Sequence, residues 1–293
     1  MTGETGDSVL KTSVFLKMIK LFVACHKPFP VPAHPLLQPI QVGAALSEEE
    51  FPGFLHDNTG DNISALNQTY CELTAQYWAW KNFDSDYYGF FHYRRYLYPD
   101  LKEKRPYRLE KDLSPETLRR LRFDAFSDLI PQYDMILPIP EEMHVTVREH
   151  YAHAPFHHPE DLTTAESIVR SLWPSYVPAM ETYLSQTSLY FGNIFIMRKP
   201  MFRNYCSWLF PILAEFERQT DLSARSPQEK RAPGYLAERL LGIYATYMRE
   251  HLTTIELPRV HFLTGNEYMK QQIINTLFPP GSIIRSKVKK IRG

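Results

Sequence analysis

The chain has 293 residues, long enough for one large α/β domain with its own buried core. Its 33 basic and 33 acidic residues balance, so no overall field argues for a nucleic-acid partner. Three cysteines without C-x-x-C spacing indicate neither a zinc site nor a disulfide framework and fit a reducing, cytoplasmic compartment. Aromatic residues make up 14% of the chain, a share compatible equally with a sugar or base site and with an aromatic core.

Residues Met1 to Lys17 are polar and weakly patterned and read as a flexible extension. No apolar run is long enough to span a bilayer, which points to a soluble or peripheral protein. Ile19–Cys25 reads as the first strand and runs into His26-Lys27, a basic pair suited to a phosphate. The glycine-rich dinucleotide fingerprint is absent after it, which argues against dinucleotide binding of that type. Pro28 to Pro52, with six prolines, reads as an extended loop flanking a cleft.

Asp57 to Tyr98 holds the strongest signals. The octet Asp57-Asn58-Thr59-Gly60-Asp61-Asn62-Ile63-Ser64 is turn-rich. Its side chains either bond to neighbouring backbone or face a ligand as ribose, sugar-hydroxyl or metal contacts. Leu66, Tyr70, Leu73, Tyr77 and Trp80 recur in steps of three and four, which predicts one helix capped at Asn67 and stopped near Asn82. Tyr87 to Phe91 is a short aromatic run and predicts a buried strand, ending in His92-Tyr93-Arg94-Arg95. Fixed positive charge beyond a strand's C-terminal end is a seat for a phosphate, because the arginine fork meets two oxygens at once and keeps its charge. The alternative is that Arg94 and Arg95 pair with Asp84, Asp86 or Asp100.

Lys102 to Asp112 is charge-dense and reads as a solvated loop; Pro115 to Ile130 reads as a helix and Tyr133 to Pro138 as a strand. His144 to Asp161 contains His144, His150, His153, His157 and His158 without the spacing of a helical zinc motif. It reads as an acceptor-binding loop, with His150, His153, His157 and His158 as the contacts. Pro174 to Leu184 predicts a helix, and Leu189 to Met197 a strand interrupted at Gly192-Asn193, where close approach of a ligand makes Asn193 a site residue. A long helix follows from Lys199 through Phe216, kinked at Pro211. The helix from Pro233 to Met248 is apolar nearly all round yet carries Glu238 and Arg239, and a charge there needs a partner or a task. Thr254 to Phe262 gives a last strand, and Gly281 to Gly293 is a basic tail in which Ile284, Val288 and Ile291 recur at helical spacing.

The segments VACHKP, PIQVGA, DNTGDNIS, YCELTAQYWAWKN, DYYGFFHYRRYL, YDMILP, GNIFIMRK, YCSWLFPIL and GYLAERLL, in this order from Ile19 to Phe262, resemble a bacterial family of domains of unknown function described as capsular polysaccharide or exopolysaccharide synthesis glycosyltransferases. The resemblance implies a GT-A-like, Rossmann-like α/β fold, with a mixed, mostly parallel sheet flanked by helices in a single domain at residues 18–265, followed by a basic amphipathic tail at 266–293. It implies transfer of a sugar from a nucleotide-diphosphate sugar to a lipid-linked or oligosaccharide acceptor of a growing surface glycan. The basic tail at 281–293 reads in two ways, as an amphipathic segment in peripheral contact with anionic lipid at the inner face of the plasma membrane, where a lipid-linked acceptor would lie, or as a disordered, solvated end of a cytoplasmic protein.

Where GT-A enzymes carry a metal-holding Asp-x-Asp, this sequence has His92-Tyr93-Arg94. That departure shifts charge neutralisation towards Arg94, Arg95 and Lys27 and leaves Mg²⁺ or Mn²⁺ as an open cofactor question. The expected donor contacts are His26, Lys27, Asp57, Asn58, Asp61, Asn62, His92, Arg94, Arg95 and Asn193. The acid/base candidates are Glu238, Asp161 and Asp61. The competing class is a non-catalytic glycan-binding or scaffolding protein, and a phosphotransferase would need a carboxylate pair that no strand end supplies.

Overall fold

The computed structural model describes residues 17–277. The expectations for residues 1–16 and for the basic segment at 281–293 lie outside the described residues.

The chain opens with β1 (Ile19–Cys25), β2 (Leu37–Gln41) and β3 (Leu55–His56), then α1 (Asn67–Tyr70) and α2 (Leu73–Asn82). β4 (Tyr87–His92), β5 (Arg95–Leu97) and β6 (Tyr107–Glu110) follow, then α3 (Pro115–Arg120), α4 (Phe126–Leu129), β7 (Met135–Pro138) and β8 (Glu141–Glu142). Next come α5 (Val147–His153), α6 (Pro159–Leu172), α7 (Val177–Ser185), β9 (Ser188–Leu189), β10 (Phe195–Arg198) and α8 (Lys199–Gln219). The chain ends, as described, in α9 (Ala232–Met248), β11 (Thr254–Leu257), β12 (Arg259–Phe262) and α10 (Gly265–Leu277).

Ten strands form one mixed sheet in the order β11-β7-β10-β4-β1-β2-β3, extended from β4 through β5 to β12 and β6. β1 pairs in parallel with both β2 and β4, β2 with β3, β7 with β11 and β6 with β12, whereas β10 is antiparallel to β4 and β7 and β5 to β4 and β12. This is the expected mixed, mostly parallel sheet flanked by helices in a single domain.

Period-2 alternation explains why the aromatic strand is central. Tyr88 and Phe90 enter the core under α2, α8 and α9 with Phe22, Phe195 and Phe202, and Tyr87 and Phe91 enter the opposite core with Leu21, Val23, Phe123 and Phe126. The Tyr88 ring lies on Phe202 at 4.5 Å and Phe90 stacks on Phe22 at 5.3 Å. α7 and α9 approach so closely that a Cβ on Gly242 would lie 1.8 Å from Tyr183 Cζ.

Several expectations are corrected. The helix drawn from Leu66 to Asn82 is two helices, because Cys71 adopts φ 52 and ψ −129, and Asn67 lies inside α1 rather than capping it. The proline-rich segment contains β2, and the charge-dense run contains β6, whose Glu110 is held by Arg108 and Arg120. The helix from Pro115 breaks at Arg122, with φ 56. The histidine segment is α5, started by a capping box between Thr146 and Glu149, and the beginning of α6 rather than a loop. The last strand is β11 and β12, divided at Pro258.

Candidate active site

From β1 the chain moves to β2 and β3 on one side, then crosses to β4 on the other. The point between β1 and β4 is therefore a topological switch point, where open α/β sheets leave a crevice beyond the strand ends. β1 delivers His26 and Lys27 to that crevice, and β4 delivers His92 and the tight turn through Tyr93 and Arg94 to Arg95. The rings keep these groups together. His26 lies 6.2 Å from His92 and edge-on to Tyr93 at 5.1 Å, with Lys27 Nζ 5.5 Å and Arg94 Cζ 5.2 Å from the Tyr93 ring.

Three further elements close the crevice. β12 is antiparallel to β5 and sets His261 opposite Arg95. The break at Cys71 turns Glu72 inward, and it is clamped from both sides: Asn67 Nδ2 donates to Cys71 O at 2.7 Å and Arg231 Nε to Cys71 Sγ at 3.0 Å. Gly43, at φ 68, leaves no room for a side chain, since Asn67 Oδ1 lies 2.7 Å from where a Cβ would stand. The Gly192-Asn193 turn and the start of α9 complete the wall. Asn193 Nδ2 donates to Glu72 Oε1 at 2.8 Å and to Gly234 O at 3.1 Å, and Gly192 N donates to Glu238 Oε1 at 2.7 Å. Asn193, at φ 49, is a non-glycine residue in the left-handed region, a strain that recurs at functional sites.

The electrostatics follow from this crowding. Burial, then Arg95, His26, Arg94 and Arg231, push His92 down to about 2, so its ring is neutral and serves as a hydrogen-bonding group rather than a cation. His26 is lowered by burial and by Lys27, Arg231 and Arg94. His261 falls to about 2 through burial, Arg259, Arg95 and His92. Arg95 is reached by solvent, yet protein surrounds it: burial lowers its pKa and the charges of Glu238 and Glu72 oppose that. It makes no ion pair within 4 Å among the described residues, so its fork is free for an anion. Glu72 is raised by burial and by the nearby Glu238, against the opposing hydrogen bond from Asn193.

The two carboxylates differ in what holds them. Glu238 has both oxygens engaged, one by Gly192 N and the other by Arg239 Nη1 at 2.7 Å. Arg239 is itself buried, reaching His150 Nδ1 at 3.1 Å and lying over the Tyr151 ring at 5.2 Å. Glu72 Oε2 makes no side-chain hydrogen bond among the described residues, although the carboxylate also draws on its own backbone N–H.

Of the expected donor contacts, His26, Lys27, His92, Arg94, Arg95 and Asn193 thus converge on one cleft, and Asp57, Asn58, Asp61 and Asn62 do not join them. Asp57 is 0% exposed, accepting from Gly43 N at 2.9 Å, Ala44 N at 3.0 Å and Ser64 Oγ at 2.5 Å, so it ties the loops after β2 and β3 together. Asn62 closes a local turn between Gly60 O and Ser64 N, and Asn58 is exposed. Asp61 bonds to Tyr77 and Asn82 at the C-terminal end of α2, about 15 Å along the helix from Glu72.

Among the acid/base candidates, Asp161 is 1% exposed and locked in a two-pronged pair with Arg225 at 2.6 and 2.8 Å, which leaves it a structural anchor. His157 stacks on Tyr235 at 4.1 Å and His150 meets Phe191 at 5.7 Å, both on the cleft's α9 side. His153 instead bonds back to Glu149 O, and His158 to Glu229.

Among the described residues no group of three His, Cys, Asp or Glu side chains could hold a metal ion. The groups nearest the strand ends are cations and neutral imidazoles, and the two carboxylates are tied to Asn193, Gly192 and Arg239. That donor set does not fit the carboxylate cage of a hard divalent ion. A separate recess of about 520 Å³ is lined by Tyr98, Lys102, Arg108, Arg120 and Arg122, among others, and shares no lining residue with the cleft.

Sequence reasoning missed Glu72, Arg231, Arg259 and His261. Glu72 had a readable signal, a carboxylate next to a cysteine in the second turn of the predicted helix, but the uninterrupted helical pattern set it off the apolar face. Arg259 is 2% exposed and paired with Glu141, supporting the cleft floor beside Phe191 O.

A family described as "Domain of unknown function (DUF4422)" matches residues 20–250. Among solved structures, the apo form of a bifunctional glycosyltransferase, WbbM, is similar with a TM-score of 0.78 and 33% sequence identity, over 84% of this chain and 45% of that one. This chain therefore spans about half the length of the structure it matches. None of the curated proteins matches it.

Proposed function

We propose, from a chain that belongs to the DUF4422 family, that the protein is a glycosyltransferase that moves a sugar from a nucleotide-diphosphate donor to a growing bacterial surface glycan, capsular, exo- or O-polysaccharide. The observation that carries this reading is the convergence of Lys27, Arg94, Arg95 and Arg231 with a carboxylate pair at the switch point between β1 and β4. The likeness to a bifunctional glycosyltransferase supports it.

In this reading Arg95, Lys27 and Arg231 hold the diphosphate and receive the charge that develops on it as the bond to the anomeric carbon breaks. His26, His92 and Asn193 line the donor, and no step passes through a metal. The acceptor enters along the α9 side past His150, His157 and Tyr235. Its hydroxyl oxygen attacks the anomeric carbon while the proton passes to Glu72 Oε2. Glu72 suits this task better than Glu238, whose two oxygens are both held by Gly192 N and Arg239, and burial raises the Glu72 pKa, which brings that carboxylate nearer the range in which it accepts a proton. Glu238 acts instead through Arg239 and the Gly192 turn, as a positioning residue. The acceptor is lipid-linked or an oligosaccharide, and the protein works at the inner face of the plasma membrane.

The test is release of nucleoside diphosphate from a panel of nucleotide sugars, with and without glycan acceptors. Acceptor-dependent release, lost in Arg95→Ala, is expected. Glycan binding without turnover on any donor would assign the chain to the non-catalytic, glycan-binding class instead.

A further inference from the structure

α10 is held on one face and bare on the other. Arg94 Nη1 reaches Glu267 Oε2 at 3.3 Å, Lys111 Nζ lies 5.4 Å from the centre of the Tyr268 ring, and Tyr107 OH donates to Asn275 Oδ1 at 3.2 Å. At 3.6 residues per turn, Glu267, Tyr268, Gln271 and Asn275 share that side of the helix. The opposite side carries Met269, Ile273 and Leu277, exposed by 55%, 56% and 63%, and Ile274 sits on its flank towards Glu267. None of the residues of α10 is buried. The helix is thus fixed to the fold by polar contacts, while its apolar stripe is covered by nothing among the described residues. Scattered apolar residues on a surface need no explanation, but three aligned at i, i+4 and i+8 along one helical face do.

The sequence beyond the stripe supplies the second observation. Gly281 to Gly293 contains Arg285, Lys287, Lys289, Lys290 and Arg292 and no acidic residue. Two candidate occupants differ in how they tolerate that charge. A second copy of this chain, docked stripe to stripe, would bring two such basic segments together. Three side chains also fall short of the roughly 800 Å² per partner of a standard protein interface. An anionic lipid surface accepts an apolar helical face and attracts adjoining cations at the same time.

We infer that α10 docks this protein on an anionic membrane by inserting Met269, Ile273 and Leu277 at the lipid interface, with the basic segment after it adding electrostatic attraction. The docking itself goes beyond the transferase reading; only its use rests on that reading. Because Arg94 joins the cleft to Glu267, a docked α10 sets the donor-binding turn beside the membrane, where a lipid-linked acceptor lies.

The experiment is flotation of the full chain with vesicles of phosphatidylcholine alone or mixed with phosphatidylglycerol, at low and high salt. It needs no substrate, so its failure is distinct from failure of the transferase assignment. Met269→Ser/Ile273→Ser/Leu277→Ser is the informative variant, since these side chains are exposed and an unchanged melting temperature verifies the fold. The wild type is expected to partition at least tenfold better into the anionic vesicles, less so in high salt, and the triple variant to lose at least tenfold with its basic segment intact. Equal partitioning of variant and wild type overturns the inference, as does a wild type that ignores anionic vesicles. A dimer in sedimentation that the triple variant abolishes, without vesicle binding, would assign the stripe to a second copy and also overturn it.

Discussion

Asn193 Nδ2 donates to Glu72 Oε1 at 2.8 Å, joining a strained turn before β10 to a half-buried carboxylate at a break between two helices. The bond fixes one oxygen of Glu72, and the other makes no side-chain hydrogen bond among the described residues. Glu72→Gln keeps an acceptor for Asn193, so the fold and nucleotide affinity should persist while turnover drops by about 10² to 10⁴. Glu238→Gln should reduce turnover less. Steady-state kinetics on both variants, with calorimetric nucleotide binding, check this; a larger loss in Glu238→Gln would exchange the two roles.

Asp57 is a structural residue, and its removal should show as lost stability. Asp57→Ala leaves the Gly43 and Ala44 amides without acceptors, at about 1–3 kcal/mol for each buried group left unpaired. A fall in melting temperature of several degrees is expected, with nucleotide affinity changed little once the protein is folded. An unchanged melting temperature with lost affinity would return Asp57 to the donor site.

Gly242→Ala should destabilise the packing of α7 on α9, because the added methyl meets the Tyr183 ring, which is 0% exposed. Overpacking of this kind costs typically 1–3 kcal/mol, and more where the neighbour cannot move. Gly242→Ala/Tyr183→Phe removes the hydroxyl but not the ring, and it takes the acceptor from the buried Tyr190 N, so it should recover little of the loss. Denaturant unfolding of the two variants measures both terms.

His157 gives a pH dependence. Burial, then Arg239, lower it from 6.5 to about 4, against the bond to Pro155 O. Between those values the unfolded chain binds a proton that the folded chain does not. Its contribution is therefore complete above pH 6.5 and is lost as pH falls towards 4. His157→Phe keeps a ring on Tyr235 without the titrating nitrogens, so its melting temperature should fall less steeply between pH 7 and 4.5 than that of the wild type. Parallel slopes would remove His157 from the acid response.

Strands and helices with strong internal periodicity were legible from residues alone: β1, β4, α8 and α9 follow directly from their apolar patterns. What escaped was decided by contacts distant in sequence. Pro39 in β2 reads as a strand breaker, yet β3 pairs only at Ile40 and Gln41, so the proline sits where no amide is required of it. β6 looks like solvated charge until Arg120, ten residues on, covers Glu110. The break at Cys71 has no glycine or proline to announce it, because Asn67 and Arg231 hold it from outside the local pattern. Half of the site was legible for the same reason: His26, Lys27, His92, Arg94 and Arg95 sit at strand ends, where sequence and topology speak together. Glu72 and Arg231 become neighbours only when α1 and α9 pack.

The most direct measurement is a thermal-shift screen of nucleotide sugars on the wild type and Arg95→Ala, each with and without Mg²⁺ or Mn²⁺. Arg95 has no ion pair to lose among the described residues, so the variant should melt close to the wild type. At least one nucleotide-diphosphate sugar should raise the wild-type melting temperature without added metal and leave Arg95→Ala unmoved. A wild type that responds to no nucleotide sugar, or a variant that responds as strongly as the wild type, would contradict a diphosphate site at the ends of β1 and β4.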